Sequence, residues 1–258
     1  MSRAFSAVGS KLPKGWGDFG RQIMILVLVD LAYTFVRGIV DSEKALAMTH
    51  GQQIIDFEKS IGLFFEPSWQ TFFLPAQWVI DFANQIYLNA QFSIAIGFLL
   101  WLYLFRNESY YFVRNMFVVA MGIALVGYTL YPTAPPRMYP QYGFIDTLNA
   151  YSDVGHDSSL AKIFINPYAA VPSMHCAFSM MIGGTGFLVC RHWLSRGLWV
   201  CWPLLVSWVT IVTANHYWVD AVLGWMVALA AALAAARLAR VRPEAWAFRA
   251  RAPREVEA

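Results

Sequence analysis

The stretch "TANHYWVDAVLGWMVALAAALAAARLAR", residues 213–240, decides the fold class. It opens in polar residues and then runs without a charge from Ala221 to Ala236, close to the ~20 apolar residues that a membrane helix needs. His216 and Asp220 sit four apart at its rim, where an ionisable pair usually carries function. The rest of the chain agrees with a membrane setting. Of its 258 residues 58% are hydrophobic and 14% charged, with a mean hydropathy of +0.46; soluble domains carry nearer a quarter charged residues.

Five further apolar runs, roughly 22–40, 84–105, 110–131, 172–190 and 197–213, join 216–238 to predict six transmembrane helices. The expected fold is an all-α integral membrane bundle. Residues 1–21 are a basic cytoplasmic tail, 22–240 the membrane domain, and 241–258 a second cytoplasmic tail. Asp30 interrupts the first run, and Asp41, Glu43 and Lys44 come after it, so an uncleaved span fits better than a signal peptide. Between the first two runs, apolar residues recur at helical spacing from Ala45 to Ile61, and Pro67 and Pro75 interrupt the segment beyond Ile61. This reads as an amphipathic interfacial helix with a short hydrophobic segment after it.

Lys and Arg set the orientation. With the N-terminus inside, 14 of the 19 basic residues fall on the cytoplasmic side, so both termini are expected there. The long 132–170 loop then faces the periplasm or exterior of what reads as a bacterial inner membrane. Nucleic acid is excluded as a partner, because the basic residues lie in tails and short turns. Cys176, Cys190 and Cys201 are an odd set inside apolar runs, without metal-ligand spacing, and read as packing residues.

This topology returns three polar motifs to one membrane face: "YPTAPPR" (131–137), "PSMH" (172–175) and "HYWVD" (216–220). Residues four apart share a helix face. Asp220 can therefore accept the Nδ1 proton of His216 and leave Nε2 as a nucleophile. His175 is placed to protonate a leaving oxygen. Asn215 reads as an N-cap, and helix N-termini favour phosphate. Ser173 either caps its helix or offers its hydroxyl and N–H to the same anion. Arg137 is either an interfacial anchor or a phosphate ligand; Lys162 is a weaker phosphate candidate.

"PSMH" and "HYWVD" resemble the second signature, and the end of the third, of the type-2 phosphatidic acid phosphatase superfamily. "YPTAPPR" and "FEKSIGLFFEPSWQ" (57–70) are similar to the branch with aureobasidin-sensitive inositol phosphorylceramide synthases and bacterial relatives. The likeness runs over roughly residues 45–235. It implies a six-helix membrane fold and phosphoryl transfer through a phosphohistidine, without metal or other cofactor. His216 would be the nucleophile, Asp220 its orienting partner and His175 the general acid. The family's first signature, Lys-x6-Arg-Pro, is absent. Its third begins Ser-Arg, with five residues before the histidine; here those positions are Val209 and Thr210. Fewer cations suit a phosphodiester better than a monoester, which tilts the expectation toward head-group transfer.

The substrate class is thus a phospholipid or polyprenyl phosphate. A phosphatidic acid or polyprenyl phosphomonoesterase is the alternative within the class. A lipid or solute transporter, using the same residues as a relay, is the alternative outside it; the few polar groups deep in the last three runs argue against transport. A metal site of His175, His216 and Asp220 competes with imidazole orientation for the same spacing. Asp30 and Arg37 share a helix face as an ion pair or by snorkelling. Tyr87, Asn89 and Gln91 either line a head-group pocket or pack at the interface. His50, His156 and His192 are expected to face water.

Overall fold

The computed structural model describes residues 12–39, 44–151 and 168–242, and among these it is all helix and loop apart from one isolated bridge. The described residues hold ten α-helices in order: α1 Gly15–Ile39, α2 Lys44–Ser60, α3 Glu66–Phe73, α4 Gln77–Gln85, α5 Gln91–Phe105, α6 Asn107–Leu130, α7 Thr147–Tyr151, α8 Met174–Val189, α9 Trp193–Val212 and α10 Trp218–Val241. A π-helical turn, Ile86–Ala90, joins α4 to α5. Helix α1 starts at Gly15, inside the 1–21 stretch expected as a basic tail.

Four helices, α1, α6, α9 and α10, are long and apolar enough to cross a membrane. The α4–α5 pair makes a fifth if its 51° bend is one broken span. Among the described residues the expected count of six is therefore not confirmed. The difference is α8, whose apolar helix has 16 residues, about 24 Å at 1.5 Å per residue against a ~30 Å hydrocarbon core. Ser173 caps its start, its Oγ accepting from the Cys176 N–H at 3.3 Å, and Cys190, in extended backbone, closes its other end. The outer faces of the spans expose apolar side chains, Leu130 of α6 at 75% and Leu233 of α10 at 65%, as a lipid-facing surface requires.

Helix α8 is central, packed on α9, α10 and α6. Small residues allow the approach. A side chain at Gly224 of α10 would meet the Ser173 carbonyl at 2.3 Å, and one at Gly186 of α8 would meet the Trp199 ring at 2.5 Å. Helix α1 is attached differently, by a polar cluster with no counterpart among the sequence expectations. Asp18 accepts from the Tyr103 and Tyr111 hydroxyls at 2.9 and 2.7 Å and from Gln22 at 3.1 Å. The buried Arg114 donates to Gln22 and Asn115.

Helices α2 to α4 form a collar over the end of the bundle where α6 finishes and α8 and α10 begin. Buried polar side chains tie it down. Gln70 bonds Ile145 through both its N–H and its carbonyl, and also the Val212 carbonyl; Asn84 bonds Thr147. Exposed Trp78 and Phe72 on the collar suit a water–membrane boundary.

Candidate active site

His216 is built by an unusual turn. After α9, Ala214 takes a left-handed conformation, φ 53°, and the N–H groups of Asn215 and His216 both donate to the Thr210 carbonyl at 3.1 Å. The chain then enters α10 with Tyr217, not Asn215, as its N-cap. Asn215 is thereby turned to another task. Its side-chain oxygen accepts from Arg137 and its amide donates to Thr213 Oγ1 at 2.8 Å.

His216 is 5% exposed and Asp220 fully buried. The Nδ1 of His216 lies 3.3 Å from Asp220 Oδ2, and that oxygen also accepts from the Tyr217 N–H at 3.0 Å. A carboxylate held by a backbone donor cannot swing away, so the imidazole is held with it. Burial disfavours the imidazolium and the Arg137 charge adds to this, pulling the His216 pKa down to about 3 against the opposing Ala170 carbonyl. The ring is neutral at pH 7, the form in which a nucleophile needs to be.

His175 stands at the start of α8, half-buried, with its ring centroid 5.7 Å from that of His216. Tyr87, in the π-helical turn, stacks on it at 4.3 Å and 18°. Tyr87, open between pocket and packing from the sequence, thus packs against His175. Arg137 comes in from the segment after α6. Its backbone N–H donates to the Ala214 carbonyl at 2.9 Å, and its guanidinium reaches Asn215 and, at 3.6 Å, Asp146. The bridge Thr133–Ala169 joins that segment to the strand-like run before α8. All three motifs therefore meet at one end of the bundle.

Two observations bear on the expected phosphate contacts. The amino end of α10 is occupied by carboxylates: Asp220 takes the Tyr217 N–H, and Glu66 of the collar takes the Trp218 N–H at 3.1 Å. Ser173 is fully buried, its hydroxyl spent on the α8 cap and its N–H donated to the Asp220 carbonyl at 3.3 Å. Lys162, His156 and the Arg37 side chain lie outside the described residues. His50, expected to face water, stacks on Tyr131 at 3.9 Å, with Nδ1 2.7 Å from the Pro132 carbonyl. Among the described residues no three His, Cys, Asp or Glu side chains are grouped to hold a metal.

Asn215, Asp146, Glu58, Glu66 and Tyr87 are the site's neighbours that sequence reasoning missed or left open. Asn215, beside the histidine, reads from sequence as a cap, Tyr87 as open between pocket and packing, and Glu58 and Glu66 fall inside the 57–70 stretch without a role of their own. Asp146 comes from a distant segment that carried no signal.

A phosphoinositol dihydroceramide synthase of Bacteroides thetaiotaomicron is 28% identical over 174 residues, 61% of this chain and 56% of the relative, so the chain spans little more than half of that protein's length. No solved structure matches. The family model described as the PAP2 superfamily matches residues 52–234, which includes every residue of the cluster around His216; this integral membrane chain belongs to the PAP2 superfamily.

Proposed function

We propose that the protein is a lipid head-group phosphotransferase that works through a phosphohistidine on His216. The observation that carries this reading is the pairing of a neutral, carboxylate-oriented His216 with a second imidazole 5.7 Å away and a guanidinium held beside them. His216 Nε2 attacks phosphorus as the P–O bond to the leaving alcohol breaks, and His175 gives that oxygen a proton. Asp220 stabilises the imidazolium that results, and Arg137 neutralises the phosphoryl oxygens. An acceptor hydroxyl then attacks phosphorus, its proton passes to His175, and the N–P bond breaks.

Transfer rather than hydrolysis of a monoester is supported by the cation count. Val209 and Thr210 stand where the wider family carries Ser-Arg, which among the described residues leaves Arg137 as the cation beside the histidines and suits the single charge of a diester. The relative's name points the same way, and a phosphoinositol lipid as donor with a ceramide-like hydroxyl as acceptor is the specific reading. Lys and Arg placement supports an active site facing the periplasm or exterior.

The test is a donor screen in liposomes, phosphatidylinositol against phosphatidic acid and polyprenyl phosphate, scored for free phosphate and transferred head group. Wild type is expected to release diacylglycerol from phosphatidylinositol and to retain acid-labile, alkali-stable label; His216→Ala is expected to do neither. Turnover by a folded His216→Ala variant overturns the mechanism, and free phosphate from monoesters alone overturns the transfer reading.

A further inference from the structure

Behind the histidine lies a second pair of acids that the proposed reaction does not use. Glu58 ends α2 and Glu66 begins α3; both are 0% exposed, in a collar built from short helices rather than from spans. Glu66 Oε1 accepts the Trp218 N–H at 3.1 Å, and the same corner accepts the Trp218 indole N–H on the Leu63 carbonyl at 2.9 Å. Glu58 faces Glu66 and the Val219 backbone, yet neither of its oxygens has a donor in hydrogen-bonding geometry, and Glu66 Oε2 lacks one as well.

Two bare carboxylates cannot stay buried together this way, since desolvation and mutual repulsion both oppose them. A proton on one supplies the missing donor to the other. The groups that bear on the pair are Asp220 of α10 and the neutral Tyr217. Desolvation, then the charges of Glu66 and Asp220, push Glu58 up to about 10; desolvation also raises Glu66. Glu66, which already accepts the Trp218 N–H, is the carboxylate of the pair, and Glu58, neither of whose oxygens has a donor, is the acid that donates to it.

We propose that Glu58 and Glu66 are a positioning pair for the nucleophile, in which one shared proton clamps the amino end of α10, and with it His216 and Asp220, to the α2–α3 corner. The clamp acts on the residues immediately after His216, so its loss displaces the imidazole without touching substrate. Small displacements of that kind are costly in rate. The proposal builds on the phosphotransferase reading only for its kinetic arm.

Three measurements on the full chain in detergent or liposomes test it. Infrared difference spectra between pH 6 and pH 11 are expected to show a buried carboxylic acid in wild type that is missing from Glu58→Gln. Modification of His216 by diethylpyrocarbonate, read by mass spectrometry, is expected to change at least threefold in Glu58→Ala and to stay at the wild-type rate in Glu58→Gln. With phosphatidylinositol, Glu58→Ala is expected to lose about tenfold in kcat with KM held within twofold, and Glu58→Gln to restore kcat at pH 7. Absence of the acid band from wild type, or an unchanged His216 modification rate in Glu58→Ala, overturns the pair. Absence of turnover on phosphatidylinositol, phosphatidic acid and polyprenyl phosphate alike sinks the functional reading, while the first two measurements still decide the pair.

Discussion

At the scale of the residue, Arg137 and Asn215 are one unit: the amide holds the guanidinium, and Asp146 steadies it from the far side at 3.6 Å. A planar, forked cation is not replaced by a lysine. Arg137→Lys is expected to lower kcat/KM on phosphatidylinositol about a hundredfold, and Asn215→Ala about tenfold, the latter being ~1.4 kcal/mol of transition-state stabilisation. Steady-state kinetics on the two variants check both. His216 makes a prediction about pH. Its folded pKa lies near 3, below the ordinary 6.5, so the native ring stays neutral while an unfolded chain takes up a proton between those values. The consequences are two. Phosphohistidine formation, measured by rapid quench, is expected to show no loss from protonation of His216 between pH 7 and pH 5. The stability contributed by the neutral ring is complete above about pH 6.5 and falls as pH drops toward 3, so a His216→Gln variant is expected to lose less of its melting temperature on acidification than wild type.

At the scale of the element, the site depends on how closely α8 and α10 approach. Gly224 makes that contact, with the Ser173 carbonyl 2.3 Å from where a side-chain carbon would stand. That neighbour is backbone at the cap of α8, which cannot move without moving His175, two residues on. Gly224→Ala is expected to destabilise the fold by about 1–3 kcal/mol and to reduce kcat more than tenfold, read by thermal unfolding and turnover on the same preparation. Gly122, a control on α6 with open space around it, is expected to tolerate alanine in both measurements. The apolar runs had already placed α6, α9 and α10 to within a few residues. They did not show that α8 is short, or that a π-helical turn breaks the second run just where Tyr87 meets His175. Hydropathy registers composition along the chain, whereas a cap or a bend is set by local hydrogen bonds.

At the scale of the molecule, the site sits at one end of the bundle under a collar, and the polar cluster of Asp18, Gln22 and Arg114 fastens α1 near its beginning. From the distribution of Lys and Arg we propose that these ends lie on opposite faces of the membrane. In a background without the three native cysteines, Gln141→Cys is expected to react with a membrane-impermeant maleimide added to intact cells. Arg191→Cys is expected to react only after permeabilisation. The reverse pattern turns the protein over and puts the active site in the cytoplasm.

What the sequence determined by itself was whatever one helix can carry alone: the membrane class, the main apolar spans, and the four-residue spacing that sets Asp220 against His216. Order and alternation of the spans then sent His175, His216 and Arg137 to one end. Only the tertiary structure decided the contacts between elements distant in sequence, such as Glu66 on the Trp218 N–H across 152 positions and Arg137 on Asn215 across 78. Those contacts took the amino end of α10 away from phosphate and gave it to the protein's own acids. The physical reason is that a buried backbone donor is satisfied by whichever acceptor packing brings to it, and packing is not written in the spacing of any single segment.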